Sequence, residues 1–226
     1  RNTEIKIIST KKGSADIVAH RVTEPTAPDV TARDFRFKIV LFGDARIGKT
    51  CIIGNFQKKG LVWPKTQQRV EFRAKDIVID DQIHRLAIWD LSGAPAYFSI
   101  RSAYLRGANG VRLCYDVTNR TSFESLKTLI QAIKKNGLLN PTVILIGNKC
   151  DLEESRAVTT EEGLEFARKN NFLFLETSVL DTTSIELAFF LLAIRFYDQE
   201  ATSGKKNKIK EKASSKVDTD KSCNCF

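Results

Sequence analysis

One passage narrows the folds open to this chain more than any other: the β-rich run from Phe35 to Phe42 leads directly into Gly43-Asp44-Ala45-Arg46-Ile47-Gly48-Lys49-Thr50. The octapeptide fits GxxxxGK[ST] and stands where a strand gives way to a helix, the context that gives the pattern its meaning. Glycine lets the backbone wrap until successive N–H groups point at phosphate oxygens, while Lys49 reaches the terminal phosphates and the Thr50 hydroxyl binds Mg²⁺. A nucleoside triphosphate fits that description, with contacts expected from Asp44, Ala45, Arg46, Ile47, Gly48, Lys49, Thr50 and Cys51. Ala45 and Arg46 occupy positions where a tight loop prefers small residues or glycine; Arg46 either adds charge near the phosphates or crowds them.

Around this loop the chain alternates β-rich runs with amphipathic segments, the pattern of an α/β fold with a largely parallel sheet. The runs are Phe35–Phe42, Val70–Ile79, Ile83–Trp89, Val111–Tyr115, Thr142–Ile146 and Phe172–Leu175. Asp80, Asp81 and Gln82 leave so short a connection between the second and third that these form an antiparallel hairpin. Apolar residues recur three and four apart in Thr121–Lys135, Thr160–Lys169 and Thr183–Phe196, which predicts helices packed on the sheet. With 226 residues, 42 % of them apolar, one domain plus tails is expected. Its bounds are 35–198, after an N-terminal extension of uncertain order over 1–34 and before a flexible basic tail over 199–226, where lysines dominate and aromatics vanish until Phe226.

The net charge of +9 suits nucleic acid, anionic lipid or phosphorylated ligands alike. No aromatics interleave with the tail lysines and no nucleic-acid motif accompanies them, so nucleic acid is not an expected partner. The odd count of five cysteines, at Cys51, Cys114, Cys150, Cys223 and Cys225, points to a reduced, intracellular protein. No stretch reaches the roughly 18 apolar residues of a membrane span, so membrane contact requires a surface anchor.

A phosphate loop specifies only a nucleotide; Asn148-Lys149-Cys150-Asp151, after the fifth run, specifies the base. The Asp151 carboxylate can accept two parallel hydrogen bonds from N1–H and the exocyclic amine of guanine, a pair adenine does not offer, so the wrong base leaves the carboxylate unpaired. Asp90-Leu91-Ser92-Gly93 follows the third run and fits DxxG, in which the aspartate meets Mg²⁺ through water and the Gly93 N–H senses the γ-phosphate.

With Glu176-Thr177-Ser178 and Tyr115-Asp116-Val117-Thr118-Asn119-Arg120-Thr121-Ser122-Phe123, these motifs make the chain, from about Phe35 to Tyr197, resemble the Ras superfamily and in particular its Rab family. The resemblance implies a single six-stranded P-loop G domain with helices on both faces, bound GTP or GDP with Mg²⁺, and base contacts from Asn148, Lys149, Asp151, Ser178, Val179 and Leu180. It also implies exchange factors, GTPase-activating proteins, effectors and a prenyl-binding chaperone as partners. Catalytic positions carried over are Lys49, Gly93 and Ala94. At Ala94 the family has the glutamine that orients the attacking water, a task alanine cannot perform, so slow hydrolysis is expected; Pro95 next to it stiffens the second switch. Aligned without a gap, Gln67 falls on the position of the Mg²⁺-binding threonine and Thr66 one residue away, which leaves Thr66 as the candidate metal ligand of the first switch. Val179 and Leu180 stand in place of the usual Ala-Lys. Arg112, in an otherwise apolar central strand, has no account at this level.

The ending Cys223-Asn224-Cys225-Phe226 reads either as a C-a-a-X box or as a Rab-like Cys-x-Cys with one extra residue, and both imply prenylation. One prenyl chain binds a bilayer marginally, so a second lipid or the lysines complete the attachment to the cytoplasmic face of an intracellular membrane. Three functions compete: a Rab-like switch of vesicle traffic with slow turnover; a pseudo-GTPase, which binds the nucleotide as an interaction module without turnover; and a P-loop kinase or ATPase, against which Asp151 argues.

Overall fold

A computed structural model describes residues 5–10, 17–23, 37–56, 70–135 and 142–217. In chain order the elements are β1 (Ile5–Thr10), β2 (Ile17–Thr23), β3 (Phe37–Gly43), α1 (Lys49–Phe56), β4 (Val70–Ile79), β5 (Gln82–Leu91), α2 (Phe98–Tyr104), β6 (Gly110–Asp116), α3 (Arg120–Glu124), α4 (Leu126–Lys135), β7 (Thr142–Asn148), α5 (Thr160–Asn170), β8 (Leu173–Thr177) and α6 (Thr182–Val217). The sheet order is β1-β2-β4-β5-β3-β6-β7-β8. From β5 to β8 neighbouring strands are parallel, whereas β1, β2, β4 and β5 pair antiparallel in turn.

Burial explains why these runs are strands. Every residue of β6 and of β7 is buried, as in a parallel strand covered on both faces. Side chains alternate between two cores with the period of two that a pleated strand imposes. Ile39, Leu41, Cys114, Ile144 and Ile146 face α1 and α6, meeting Ile52, Phe56, Ile185, Phe189 and Leu192. Val40, Phe42, Val111, Leu113, Tyr115, Val143 and Leu145 form the other core with Leu126, Leu129, Ile130 and Ile133 of α4. The β4–β5 connection has Asp80 and Asp81 at φ 47° and 64°, and Ile79 pairs with Gln82. Two left-handed residues in a two-residue loop match the twist of the flanking strands.

The six expected strands are present as β3 to β8, and the sheet gains two more from the N-terminal segment, for eight in all. Ile7 pairs with His20 and Ile8 with Ala19, while Val22 and Thr23 pair with Ile79 and Val78. The apolar pieces of residues 5–10 and 17–23 show no sustained period in sequence because each strand is short and their order comes from pairing. The expected helix Thr121–Lys135 is divided at Ser125 into α3 and α4. Helical backbone also continues to Val217, well into the tail read as flexible; lysine, glutamate and alanine are good helix formers, so a basic composition does not by itself preclude a helix.

The strand order reverses at β3, from which the chain proceeds to β5 on one side and to β6 on the other. In open α/β sheets a ligand crevice lies beyond the carboxyl ends of strands at such a point. Gly43, Leu91, Asp116, Asn148 and Thr177 all end their strands there.

Candidate functional site

The phosphate loop spans from β3 to the first turn of α1. Arg46 and Gly48 are left-handed at φ 65° and 91°, the kind of local geometry that turns successive N–H groups into an anion-binding nest beside the positive end of a helix. A Cβ on Gly48 would lie 2.5 Å from Asn148 Nδ2, and one on Gly43 would lie 2.5 Å from the Cys114 carbonyl oxygen, so the loop is pressed against β6 and β7. Ile47 is buried beneath it. Lys49 is buried, and its ammonium donates to the carbonyl oxygens of Gly43 at 3.1 Å and Asp44 at 2.5 Å. The Asp44 carboxylate accepts from the Ser125 hydroxyl, which ties the loop to the α3–α4 junction. Cys51 is half-buried, and its thiol is raised first by burial and then by the Asp90 charge.

The Thr50 hydroxyl donates to Asp90 Oδ2 at 2.5 Å, and the other carboxylate oxygen of Asp90 is buried without a hydrogen-bond partner. Burial raises the Asp90 carboxyl, opposed by the Thr50 hydrogen bond and the charge of Lys49. A buried acceptor in need of a cation, next to a hydroxyl oxygen, is a hard oxygen donor set that fits Mg²⁺, which takes few protein ligands and fills its shell with water and phosphate. Three residues on, a Cβ at Gly93 would sit 2.1 Å from Ala45 N and 2.1 Å from the Asp44 carbonyl carbon. Contact between the DxxG loop and the phosphate loop is that close, and only glycine permits it. Ala94 then opens the short helix Pro95–Tyr97, its N–H donating to Ser92 Oγ at 3.3 Å. Its methyl group offers no donor or acceptor to a water. Thr66 lies outside the described residues, as do Cys223 and Cys225.

On the base side, Asn148 is fully buried; it donates to the Ile47 carbonyl at 2.7 Å and accepts from the Thr177 hydroxyl at 3.1 Å. One amide thus joins the phosphate loop to the end of β8. Lys149 is left-handed at φ 65° and its ammonium meets Asp116 Oδ2 at 2.5 Å. Asp116 also accepts at Oδ1 from the Thr118 N–H and hydroxyl. Asp151 is exposed, and its carboxylate has no partner among the described residues, as a ligand-facing group would. Ser178 is buried and accepts from the Leu180 N–H at 3.0 Å, while the Val179 carbonyl accepts from Asn55 at 2.6 Å. The Leu180 side chain is 71 % exposed.

The residues singled out in sequence therefore converge on one face, at the strand ends. Sequence reasoning assigned no role to Asn55, Ser125 or Thr177, and quoted Asp116 without one. Polar residues of this type carry no local pattern, and their partners lie as far as 124 positions away, as Asn55 and Val179 do. A second feature it missed is an aromatic row across β4, β5 and α2: Phe72 to Trp89 at 4.9 Å and Trp89 to Tyr104 at 5.2 Å between ring centroids, with Phe72 43 % exposed.

The family model described as the Ras family matches residues 38–198. Among similar proteins, the Ras-related protein RABA4d of Arabidopsis thaliana is 41 % identical over 165 residues, 73 % of this chain and 74 % of that one. The Ras-related protein Rab11A of Lotus japonicus is 39 % identical over 166 residues, 73 % and 74 % of the two chains, and RABA4b of Arabidopsis thaliana is 38 % identical over 179 residues, 79 % of each. The match covers the phosphate loop, the Thr50–Asp90 pair and the Asn148–Asp151 loop, and with it the chain belongs to the Ras family, as a Rab-like small GTPase.

Proposed function

We propose that this chain is a membrane-attached, Rab-like GTP-binding switch of vesicle traffic that turns GTP over slowly. The observation that carries the reading is the joining of the phosphate loop to the Asn148–Asp151 loop through the Asn148 amide; the slow turnover rests on the Ala94 methyl, at the position where the family has the glutamine that orients the water. Nucleotide specificity comes from the Asp151 carboxylate, and Ser178, Val179 and Leu180 bound the base.

In hydrolysis a water oxygen attacks the γ-phosphorus, the bond to the β-phosphate oxygen breaks, and GDP and inorganic phosphate form. Lys49 and the loop N–H groups stabilise charge on the phosphate oxygens. Thr50 and Asp90 would hold Mg²⁺, which neutralises phosphate charge when bound. Gly93 lies close against the phosphate loop, and in this reading its N–H reports the γ-phosphate. No side chain at position 94 orients the water, and the turnover number falls accordingly.

Effectors, exchange factors and GTPase-activating proteins are the partners of such a switch, and the partly buried Phe72–Trp89–Tyr104 row, exposed at Phe72, is an apolar feature suited to docking one of them. Attachment rests on prenylated Cys223 and Cys225 with the tail lysines. A second reading, a pseudo-GTPase, is favoured by the same Ala94 methyl.

The test is the identity of the nucleotide extracted from the purified protein, followed by phosphate release from GTP before and after Ala94→Gln. Guanine nucleotide with slow release that rises in the variant supports the switch. Bound nucleotide with no release in either form supports the pseudo-GTPase, and an empty pocket refutes both.

A further inference from the structure

Three basic side chains belong to the nucleotide-binding motifs, Arg46 and Lys49 in the phosphate loop and Lys149 on the base side. The Lys49 ammonium is held by the Gly43 and Asp44 carbonyls, and the Lys149 ammonium by Asp116. Arg46 is exposed, and its guanidinium has no acceptor among the described residues. The acidic side chain two residues before it, Asp44, is bonded to Ser125. Arg46 also stands at φ 65°, a conformation that glycine adopts freely and a residue with a Cβ adopts at a cost. Backbone strain of this kind persists at ligand clamps, where the side chain repays it in the bound state.

From this we infer that the Arg46 guanidinium is a clasp on the polyphosphate of the bound guanine nucleotide, slowing its release. The inference rests on the nucleotide reading proposed above. The phosphates concerned are cradled by the N–H groups of the loop that carries Arg46, so they lie within the span of its own side chain. A guanidinium offers five donors in a planar fork that matches phosphate oxygens two at a time. Apart from Lys49 and Thr50 the loop binds through its backbone; at position 46 a further side chain joins it. Release then requires the guanidinium to let go of the phosphates as well as the loop to open.

The experiment measures dissociation of fluorescently labelled GDP from the full chain, in wild type and in Arg46→Lys, Arg46→Asn and Arg46→Gly, at two ionic strengths. Asparagine and glycine both tolerate the left-handed backbone, so they remove the charge without adding strain, and their thermal stability before loading is expected to equal or exceed that of wild type. The expected result is release about tenfold faster in the asparagine and glycine variants, the size of one charge-assisted hydrogen bond lost. Lysine should restore most of the retention, and the salt dependence of release should shrink in the neutral variants. Release from the neutral variants at or below the wild-type rate would overturn the clasp while leaving the nucleotide reading intact. A wild-type chain that takes up no guanine nucleotide would overturn both.

Discussion

Replacing Arg112 with leucine is expected to stabilise this protein, although the position is in the middle of its central strand. Arg112 is fully buried, and Nε, Nη1 and Nη2 all lack a hydrogen-bond partner. The guanidinium carbon lies 4.1 Å from the centroid of the Phe189 ring, a favourable cation–π contact. Burial pulls the guanidinium well below its ordinary range, to about 10. At 1.36 kcal/mol per unit that is a cost of about 3 kcal/mol for holding the charge. A desolvated cation–π contact offsets about 2 kcal/mol of it. Leucine removes the remaining penalty and adds apolar burial against Phe189 and the neighbouring Ile144, at the cost of some unfilled volume. The net expectation is about 2 kcal/mol, within the range seen when buried charges give way to apolar groups, or roughly 6 °C in melting temperature for a domain of this size. The assay is urea unfolding of both proteins at equal saturation with GDP, since a difference in ligand binding would shift stability by mass action. A pH series sharpens it. The unfolded arginine binds its proton more tightly than the folded one, so wild-type stability from this group rises as pH climbs above about 10, and the cost is fully present below pH 10. The advantage of Arg112→Leu should therefore be constant below pH 10 and shrink above it. A loss of 1 kcal/mol or more at neutral pH with an unchanged denaturant slope would refute the reasoning and assign Arg112 a net stabilising role.

Other substitutions test the site. Gly93→Ala places a methyl 2.1 Å from Ala45 N, so the two loops must part; overpacking of this order costs about 1–3 kcal/mol, and GDP affinity by equilibrium titration should fall at least tenfold. Asn148→Ala deletes the bonds to Ile47 and Thr177 and leaves a buried carbonyl and hydroxyl short of partners. Unfolding should register a loss of about 1–3 kcal/mol, and GDP should leave faster; unchanged release would mean that the amide does not couple the two loops. Thr159→Ala serves as the opposite case. It breaks the capping box of α5, in which Thr159 Oγ1 accepts from the Glu162 N–H and the Glu162 carboxylate accepts from the Thr159 N–H. About 1 kcal/mol of stability should be lost with nucleotide release unaltered, and altered release would show that α5 communicates with the site.

The loops that end strands declare themselves in sequence because each must satisfy a local rule. Gly48 is glycine because the loop is left-handed there and Asn148 approaches, and Gly93 because the phosphate loop leaves no room for a methyl. The order of those motifs between apolar runs already implies which ends of which strands assemble the site, and the match to the Ras family follows from the same residues. Boundaries were also legible where punctuation is strong, as at the Asp80-Asp81 turn.

Tertiary structure decided the rest, for reasons of pairing and distance. That residues 5–10 and 17–23 form strands rests on their pairing with each other and on that of Val22 with Ile79, to which no period within either strand testifies. That Asn55 holds Val179, that Ser125 holds Asp44, and that Asp116 holds Lys149 are contacts between positions with no sequence relation. Which basic side chain has a protein partner was equally hidden: Lys49, Lys149 and Arg46 are all basic residues in motifs, and only the folded arrangement of carbonyls and carboxylates gives the first two one. Sequence alone determined the chemistry the site is built for, because that is written in short local patterns; the fold determined which side chains remain available to perform it, because hydrogen-bond partners are assigned in space.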